Sequence, residues 1–298
     1  MATIPKPGIT PPAPVRLGYG TPILSPKELA INRGLFLPLG DFKEPEDHVR
    51  KRIGQTFSIC GRLLTGVING DISGLMFSGI GGVGKTFEAE KVLKQAVVDG
   101  MIDLTQHNSY LTAVELYCLL YENREGACVT LIDDCDNIWK DQKAIGVMKA
   151  ALDTKLERIV HWGANSPVLR KKEYPPEFLM QGAVVFITNV DIRASIDRND
   201  AWSRHHHALL RRITYLDMGI RTKHEVFIRL KMLMDDPNFI KTYNLTAGQI
   251  KTITEWIFSH IGQIHDLSIN TVMKLAQYIQ ADPKDWTDLA EVTLFSRS

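Results

Sequence analysis

Apolar residues along the chain follow two different periods, which divide it into a mixed α/β part and a helical part. From Glu46 to about Gly70 they recur every three or four residues, which predicts one long helix. Short apolar runs at residues 75–78, 127–132 and 183–188 predict buried strands. The last quarter of the chain shows the helical period throughout and predicts four helices. We therefore expect an α/β fold, with a parallel sheet flanked by helices and followed by a small all-helical lid.

Domain boundaries follow from shifts in composition. Six prolines between residues 1 and 24 predict an extended arm, with a short capped helix near Ser25. We place the proline-rich arm at 1–45, the α/β core at 46–218 and the helical lid at 219–298. The arm is interpreted first as a disordered tail, and the alternative is that it lies across a neighbouring subunit.

A less regular segment, about 157–182, interrupts the α/β core. Two short strand-like pieces enclose a polar loop, which predicts a β-hairpin inserted ahead of the next core strand. Arg170, Lys171 and Lys172 would give this hairpin a basic tip that could bind DNA phosphates. A solvated surface loop with ordinary basic residues is the alternative.

Composition changes this picture little, but it excludes some classes of protein. The 298 residues carry a formal net charge of +1, so the chain has no global attraction to nucleic acid or to membranes. No apolar run approaches membrane-spanning length, which predicts no membrane association and a cytoplasmic location. Four cysteines without a Cys-x-x-Cys pair are interpreted as buried free thiols.

The strand at 75–78 leads into the pattern Gly-x-x-x-x-Gly-Lys-Thr, which indicates a nucleotide phosphate site. Its glycines allow successive N–H groups to turn around an anion, and the following helix points its positive end at the same place. Lys85 supplies charge for the β- and γ-phosphates, and Thr86 supplies a hydroxyl ligand for Mg²⁺. The predicted ATP-binding residues are Gly79, Gly81, Gly82, Val83, Gly84, Lys85, Thr86 and Phe87.

Polar residues follow the other two predicted strands at the same edge of the sheet. Asp133 and Asp134 end one strand; the first is predicted to hold Mg²⁺ with Thr86, and the second to orient and deprotonate the attacking water. Asn189 ends the next strand and could hydrogen-bond that water or the γ-phosphate. Asp136 is interpreted first as a helix N-cap, and the alternative is that it supports the metal-binding residues from behind.

Two further groups of residues precede the last strand. Three consecutive histidines, 205–207, point in different directions without a carboxylate cluster and are interpreted as surface residues. Arg211 and Arg212 could project toward a neighbour's nucleotide, where a guanidinium offsets transition-state charge. Arg212, which lies directly before the strand, is our first choice.

The order of these motifs resembles the AAA+ ATPase family, and in particular its helicase-like branch, which has a hairpin before the Asn189 position. The layout is also similar to that of uncharacterised AAA-type ATPases encoded by bacteriophages. The resemblance implies ATP and Mg²⁺ as cofactors and a homo-oligomer, such as a hexameric ring or spiral. ATP would lie between subunits, and an arginine would act in trans.

Two positions depart from the family pattern. Many members have glutamate where this chain has Asp134, and the shorter side chain is compatible with slow turnover. Many members also have an arginine in the lid helix that contacts the γ-phosphate; the corresponding position here is Asn270, and Lys274 lies one turn further on.

The favoured function is an ATPase that moves or remodels DNA, acting in phage or bacterial DNA replication or processing, in the bacterial host cytoplasm if it is phage-encoded. One alternative is an ATP-dependent switch, such as a helicase loader, a clamp-loader-like protein or a transposition regulator, that controls a partner protein. The other is a protein remodeller.

Overall fold

A computed structural model describes residues 37–295 of the chain. Its α/β part contains seven strands: β1 (Gly74–Ser78), β2 (Asp103–His107), β3 (Cys128–Asp133), β4 (Arg158–His161), β5 (Glu177–Met180), β6 (Ala183–Thr188) and β7 (Thr214–Asp217). Its helices are α1 (Glu46–Ile68), α2 (Lys85–Val98), α3 (Ala113–Glu122), α4 (Gln142–Ala151), α5 (Pro167–Lys172), α6 (Ile192–Asp197) and α7 (Ser203–Leu210). Among these described residues, no helix is long and apolar enough to span a bilayer.

Five strands form one parallel sheet in the order β2-β3-β6-β1-β7. Because successive side chains alternate across a strand, Leu75 and Phe77 pack against one face while Met76 packs against the other. The first face is covered by α1, α2 and the lid, and the second by α3, α4, α7 and the hairpin. The α/β fold with a parallel sheet between helices is the one predicted.

All parallel strands end at the same edge of the sheet, where β1, β3 and β6 lie side by side. In open α/β sheets this edge is where ligands bind. It brings the turn after Ser78, the carboxylates after Ile132 and the polar residues after Ile187 together, as the sequence predicts.

The lid contains five helices where four are predicted: α8 (Lys223–Met234), α9 (Pro237–Tyr243), α10 (Ala247–His260), α11 (Ile269–Ala281) and α12 (Trp286–Leu294). The additional helix, α9, begins at a proline that was expected only to end α8. Asp236 caps α9 by accepting from the backbone N–H of Asn238 at 2.8 Å, and proline is compatible with a first helical position.

The lid packs directly on α1. Arg52 of α1 donates to Glu225 of α8 at 2.6 Å, and Lys231 of α8 donates to Glu46 of α1 at 2.6 Å. Apolar residues of both helices belong to the same buried cluster as Phe77 of the sheet. The helices of the lid therefore share one apolar core with the sheet.

Of the predicted arm, residues 1–36 and the short helix near Ser25 lie outside the described residues. Residues 37–45 run along the start of α8, where the carbonyl oxygens of Pro38 and Leu39 accept from backbone N–H groups at 2.9 and 3.0 Å. The four cysteines are free thiols; three are buried, and Cys128 is half-buried.

The inserted segment forms the predicted antiparallel pair, β4 with β5, but its tip is a helix rather than a plain loop. Arg158 is buried at the base and donates to the carbonyl oxygens of Ala151, Gln181 and Gly182 at 2.7 to 3.1 Å. One side chain thus fixes the end of α4 to both ends of the insertion.

Candidate nucleotide site

The turn between β1 and α2 has the backbone that the glycine pattern requires. Gly82 and Gly84 have φ angles of +68° and +86°, a region that residues with a Cβ adopt rarely. Gly84 is the residue before α2, so the first N–H groups of the helix face the inside of the turn. The turn can therefore hold an anion with backbone donors and the helix end together.

Lys85 is placed over this turn and is 5% exposed. Its Nζ donates to the carbonyl oxygens of Gly79 at 2.8 Å and Ile80 at 2.7 Å, and to Oδ1 of Asn189 at 2.8 Å. Burial lowers the pKa of this ammonium group to about 8, and the negative charges of Asp134 and Asp133 oppose that shift. A phosphate bound beside Lys85 would favour the charged ammonium form, which burial alone disfavours.

Thr86 and Asp133 form a pair that fits a magnesium ion. The Thr86 hydroxyl donates to Oδ2 of Asp133 at 2.7 Å, while Oδ1 of Asp133 is buried without a hydrogen-bond partner. Burial raises the pKa of the Asp133 carboxyl, and the hydrogen bond from Thr86 opposes this. Within residues 37–295 no cluster of three metal-ligating side chains occurs. The Thr86 hydroxyl and the Asp133 carboxylate are hard oxygen ligands of the kind that Mg²⁺ binds, together with phosphates and water.

Asp134 and Asn189 are joined across the ends of the neighbouring strands β3 and β6. The Asn189 amide donates to Oδ1 of Asp134 at 2.9 Å, and its own oxygen accepts from Lys85. Asp134 has a φ angle of +52°, which turns its exposed side chain away from the strand. The lysine, the asparagine and the carboxylate therefore form one hydrogen-bonded chain along the edge of the sheet.

Buried polar contacts behind these residues help to hold this edge of the sheet in place. Thr188 is fully buried and donates to the Asp136 carboxylate at 2.5 Å, while the indole of Trp139 donates to Thr188 at 3.1 Å. The first interpretation of Asp136, as a helix cap, is wrong, because the short 3₁₀ helix of residues 136–140 begins at Asp136 itself and has no side-chain cap. Its carboxylate instead accepts from Thr188 behind the site, which agrees with the alternative. Thr188 lies on β6, which pairs with β3 although it is about 50 residues further along the chain, so no local sequence pattern indicates this contact.

The sequence is 33% identical over 250 residues to a 36.7 kDa protein from the nrdC-mobD intergenic region of Enterobacteria phage T4. The match covers 84% of this chain and 77% of the phage protein, which is described as uncharacterised. The chain belongs to the family of this phage protein. No protein-family profile matches the sequence.

Solved structures with a similar layout are distant in sequence. Domain III of the replication initiation protein DnaA from Thermotoga maritima is 12% identical, with a TM-score of 0.44 over 80% of this chain and 92% of that one. A RuvB mutant from Thermotoga maritima is 12% identical, with a TM-score of 0.41 over 83% and 67% of the two chains. Trip13 from Rhizobiales is 13% identical, with a TM-score of 0.38 over 89% and 99%.

This chain has the α/β fold of a P-loop nucleotide-binding protein, which is the fold that the resemblance to the AAA+ family implies. Its own strand order, the turn before Lys85 and the polar residues after β3 and β6 carry that assignment. A parallel sheet with the phosphate turn at the end of β1 and helices on both faces is a nucleotide-binding arrangement.

The two arginines at the end of α7 differ in their surroundings. Arg212 is half-buried and donates through Nη1 to the carbonyl oxygen of Ala208, in the last turn of the preceding helix α7, at 2.7 Å. Arg211 is exposed. Of the two arginines predicted to act in trans, Arg211 is therefore the more exposed.

The histidine segment also differs from its prediction as a surface feature. His206 is 2% exposed, with Nε2 at 2.8 Å from the Trp139 carbonyl oxygen and Nδ1 at 2.9 Å from the Ser195 hydroxyl. The expectation that all three histidines lie at the surface is wrong for this one. Because residues of a helix point in successive directions, one of three neighbours faces the core.

The basic residues of the insertion lie in the last turn of α5. All three are exposed, and Lys172 donates to Glu122 of α3 at 2.9 Å. The flanking aromatic residues pack against the protein, with the ring of Trp162 at 5.7 Å from Tyr117 and that of Tyr174 at 4.6 Å from Tyr121. Two of the three basic residues therefore face outward without an aromatic partner that could stack on bases.

Arg229 is a site residue that sequence reasoning missed. It lies on α8, is 4% exposed, and donates through Nε to the carbonyl oxygen of Val83 in the phosphate turn at 3.1 Å. Its position within an apolar helix stretch is a signal in the sequence, because a charged residue there must have a buried partner. Periodicity cannot identify that partner, since α8 is buried on nearly all sides.

Proposed function

We propose that this protein is an oligomeric ATPase that hydrolyses ATP and uses the energy to move or remodel DNA. The observation that carries the proposal is the hydrogen-bonded chain from Lys85 through Asn189 to Asp134, beside the Thr86–Asp133 pair. It joins the groups that bind phosphate, hold a metal and activate water at one edge of the sheet.

Each residue in this arrangement has a separate task. Lys85 and the backbone donors of the turn bind the β- and γ-phosphates, and Thr86 with Asp133 holds the metal. Mg²⁺, when bound, neutralises charge on the phosphates and leaving group. Asp134 orients the attacking water and accepts its proton, and Asn189 keeps the Asp134 carboxylate in place. A guanidinium from the adjoining subunit then offsets the charge that develops on the γ-phosphate. We assign this role to Arg211, because Arg211 is exposed.

ATP hydrolysis is tested by two substitutions with different expected results. Lys85→Ala should abolish ATP binding, since it removes the buried charge of the turn. Asp134→Asn should bind ATP normally but lower kcat about 100-fold or more, a typical loss for a general base. Asparagine also tolerates the positive φ angle at this position. Nucleotide affinity measured by titration calorimetry and turnover measured by phosphate release distinguish the two; unchanged turnover in Asp134→Asn would contradict its role.

DNA binding is proposed for Arg170 and Lys171, which are exposed at the end of α5. Replacing both by alanine should weaken binding of a fluorescent single-stranded oligonucleotide about tenfold and reduce its dependence on salt, since each phosphate contact releases counterions. The matched control is Lys251→Ala with Lys284→Ala, two exposed lysines of the described lid that carry the same charge. Equal effects of the two pairs would contradict a specific role for α5.

The second candidate function is an ATP-dependent switch that controls a partner protein, and the side chain at position 134 favours it. Aspartate is one methylene shorter than glutamate, and here it is already held by Asn189 at 2.9 Å. Slow turnover with a stable ATP-bound complex would support the switch, whereas turnover stimulated by single-stranded DNA would support the motor. A protein remodeller is the alternative if DNA does not stimulate turnover and no stable ATP complex is found.

The phage T4 relative supports a role inside an infected bacterial cell.

A further inference from the structure

We propose that the lid of this chain holds two consecutive peptide groups of the phosphate turn in their anion-binding orientation, through the backbone of Ile269 and the side chain of Arg229. Movement of the lid would then change nucleotide affinity through the turn itself, with no direct contact between the lid and the γ-phosphate. This inference rests on the proposed function, because it assumes that the turn binds nucleotide.

Two hydrogen bonds from different lid helices carry the proposal. The backbone N–H of Ile269, at the start of α11, donates to the carbonyl oxygen of Gly82 at 2.8 Å. The Nε of Arg229, on α8, donates to the carbonyl oxygen of Val83 at 3.1 Å. Two successive carbonyl groups of the turn therefore point toward the lid.

Because the peptide group is planar, these two contacts also fix the direction of the N–H groups in the turn. In a trans peptide group the C=O and the next N–H point in opposite directions, and the described residues contain no cis peptide bond. Fixing the carbonyl groups of residues 82 and 83 toward the lid turns the N–H groups of Val83 and Gly84 away from it. Those N–H groups then face the inside of the turn, where successive donors bind an anion.

The glycines of the turn also permit this close approach. A Cβ on Gly82 would lie 2.3 Å from the Cβ of Ser268, and a Cβ on Gly84 would lie 3.1 Å from Leu233. Both neighbouring residues belong to the lid. Any side chain at position 82 would therefore displace α11 from the turn, in addition to the strain of a positive φ angle.

Arg229 is held firmly enough to act as a positioning residue. Its Nη2 donates to Glu88 of α2 at 2.9 Å, and its guanidinium carbon lies 3.5 Å from the ring centre of Phe57 on α1. A buried guanidinium with an ion pair, a ring face and a carbonyl acceptor has little freedom to move alone. Displacement of α8 would therefore pull on the turn.

The decisive variant is Ile269→Pro. Ile269 is the first residue of α11, a position where proline is tolerated, and Ser268 before it is extended (φ −158°, ψ 175°), as a residue preceding proline should be. Proline removes the N–H that binds the Gly82 carbonyl oxygen and retains much of the helix. Ile269→Ala is the matched control, because it loses apolar side-chain contact but keeps the N–H.

ADP binding to the full-length variants, measured by titration calorimetry, is the test, with thermal unfolding measured in parallel. Ile269→Pro should weaken binding about five- to tenfold, whereas Ile269→Ala should change it less than twofold even if both lower Tm. Arg229→Met should weaken binding to a similar extent, and Glu88→Gln, which leaves the Arg229–Val83 bond intact, should not.

The outcomes separate the two proposals. If the unmodified protein binds no nucleotide, both the proposed function and the proposed role of the lid contacts are wrong. If it binds nucleotide and the proline and alanine variants bind equally, the lid contact alone is overturned. A loss of Tm in all variants with no change in affinity of the folded protein has the same meaning, because it assigns these contacts to stability alone.

Discussion

Lys85 carries its charge in a place from which water is largely excluded, and this makes nucleotide binding depend on pH. Its pKa is lowered to about 8, so the ammonium form is lost above that pH in the free protein. ADP affinity should therefore be constant below pH 8 and fall roughly tenfold per unit above it, as binding takes up a proton. Titration calorimetry in buffers of different ionisation enthalpy measures both the affinity and the proton uptake.

Lys85→Arg is the control for this pH dependence. A guanidinium stays charged throughout the range, so the variant should bind more weakly but with an affinity independent of pH. A flat profile for the unmodified protein, without proton uptake, would contradict the assignment.

The lowered pKa of Lys85 also affects stability. Between about pH 8 and the ordinary pKa of 10.5, the unfolded chain holds more protons than the folded chain, so Lys85 makes the free energy of unfolding rise with pH.

At the residue scale, the sequence predicts the groups whose spacing is local. Lys85 and Thr86 follow from the glycine pattern, and Asp133 follows from the end of a buried strand. Arg229 does not, because its contact with Val83 joins residues that are 146 positions apart. The sequence favours Arg212 over Arg211 because Arg212 lies directly before the strand, but it does not show the hydrogen bond from Arg212 to Ala208 of α7, since that bond depends on where α7 ends.

At the element scale, His206 links α7 to the segment that follows β3. The Trp139 carbonyl can only accept, so Nε2 of His206 must carry a proton toward it. His206→Ala should lower the free energy of unfolding by about 2–4 kcal/mol, because it leaves that buried carbonyl unpaired and opens a cavity. Urea denaturation measures this change.

The neighbouring histidine provides the comparison. His207 is exposed, so His207→Ala should alter the free energy of unfolding by no more than about 0.5 kcal/mol. Similar losses for the two variants would contradict the assignment of His206 to the core. An increase in stability of His206→Ala would do so as well.

Short elements are the ones that periodicity misses. Helix α5 has six residues, too few for a repeating apolar pattern, although Ser166 before it and Pro167 at its start are helix-initiation signals. Helix α9 is also too short for such a pattern, and its first residue, Pro237, indicates only the end of the preceding helix. The long helix α1 is predicted well because six buried residues repeat along it.

At the scale of the whole molecule, the arginine in trans can be tested by mixing subunits. Arg211→Ala protein should bind ATP without turnover, and Lys85→Ala protein should bind none. In a mixed oligomer, about a quarter of the interfaces would combine an intact turn with an intact arginine, so some ATPase activity should return.

Substituting Arg212→Ala for Arg211→Ala in the same mixture distinguishes the two arginines. Arg212→Ala should retain activity without mixing, because the Arg212 guanidinium is bound to Ala208 of α7 in the same subunit. If subunits exchange, as measured by fluorescence transfer between labelled chains, and activity does not return with Arg211→Ala, the arginine does not act in trans.

The apolar core that joins the lid to one face of the sheet also limits how the chain can be divided. Phe77 of β1 and Leu230 of α8 belong to the same buried cluster, together with Leu64 of α1. A polypeptide cut after Asp217 would leave that face of α1 and α2 open to water, and it should aggregate rather than survive as a minimal ATPase. For the same reason, calorimetry should record the melting of lid and sheet as one peak, so a protease would find no separately folded fragment to release.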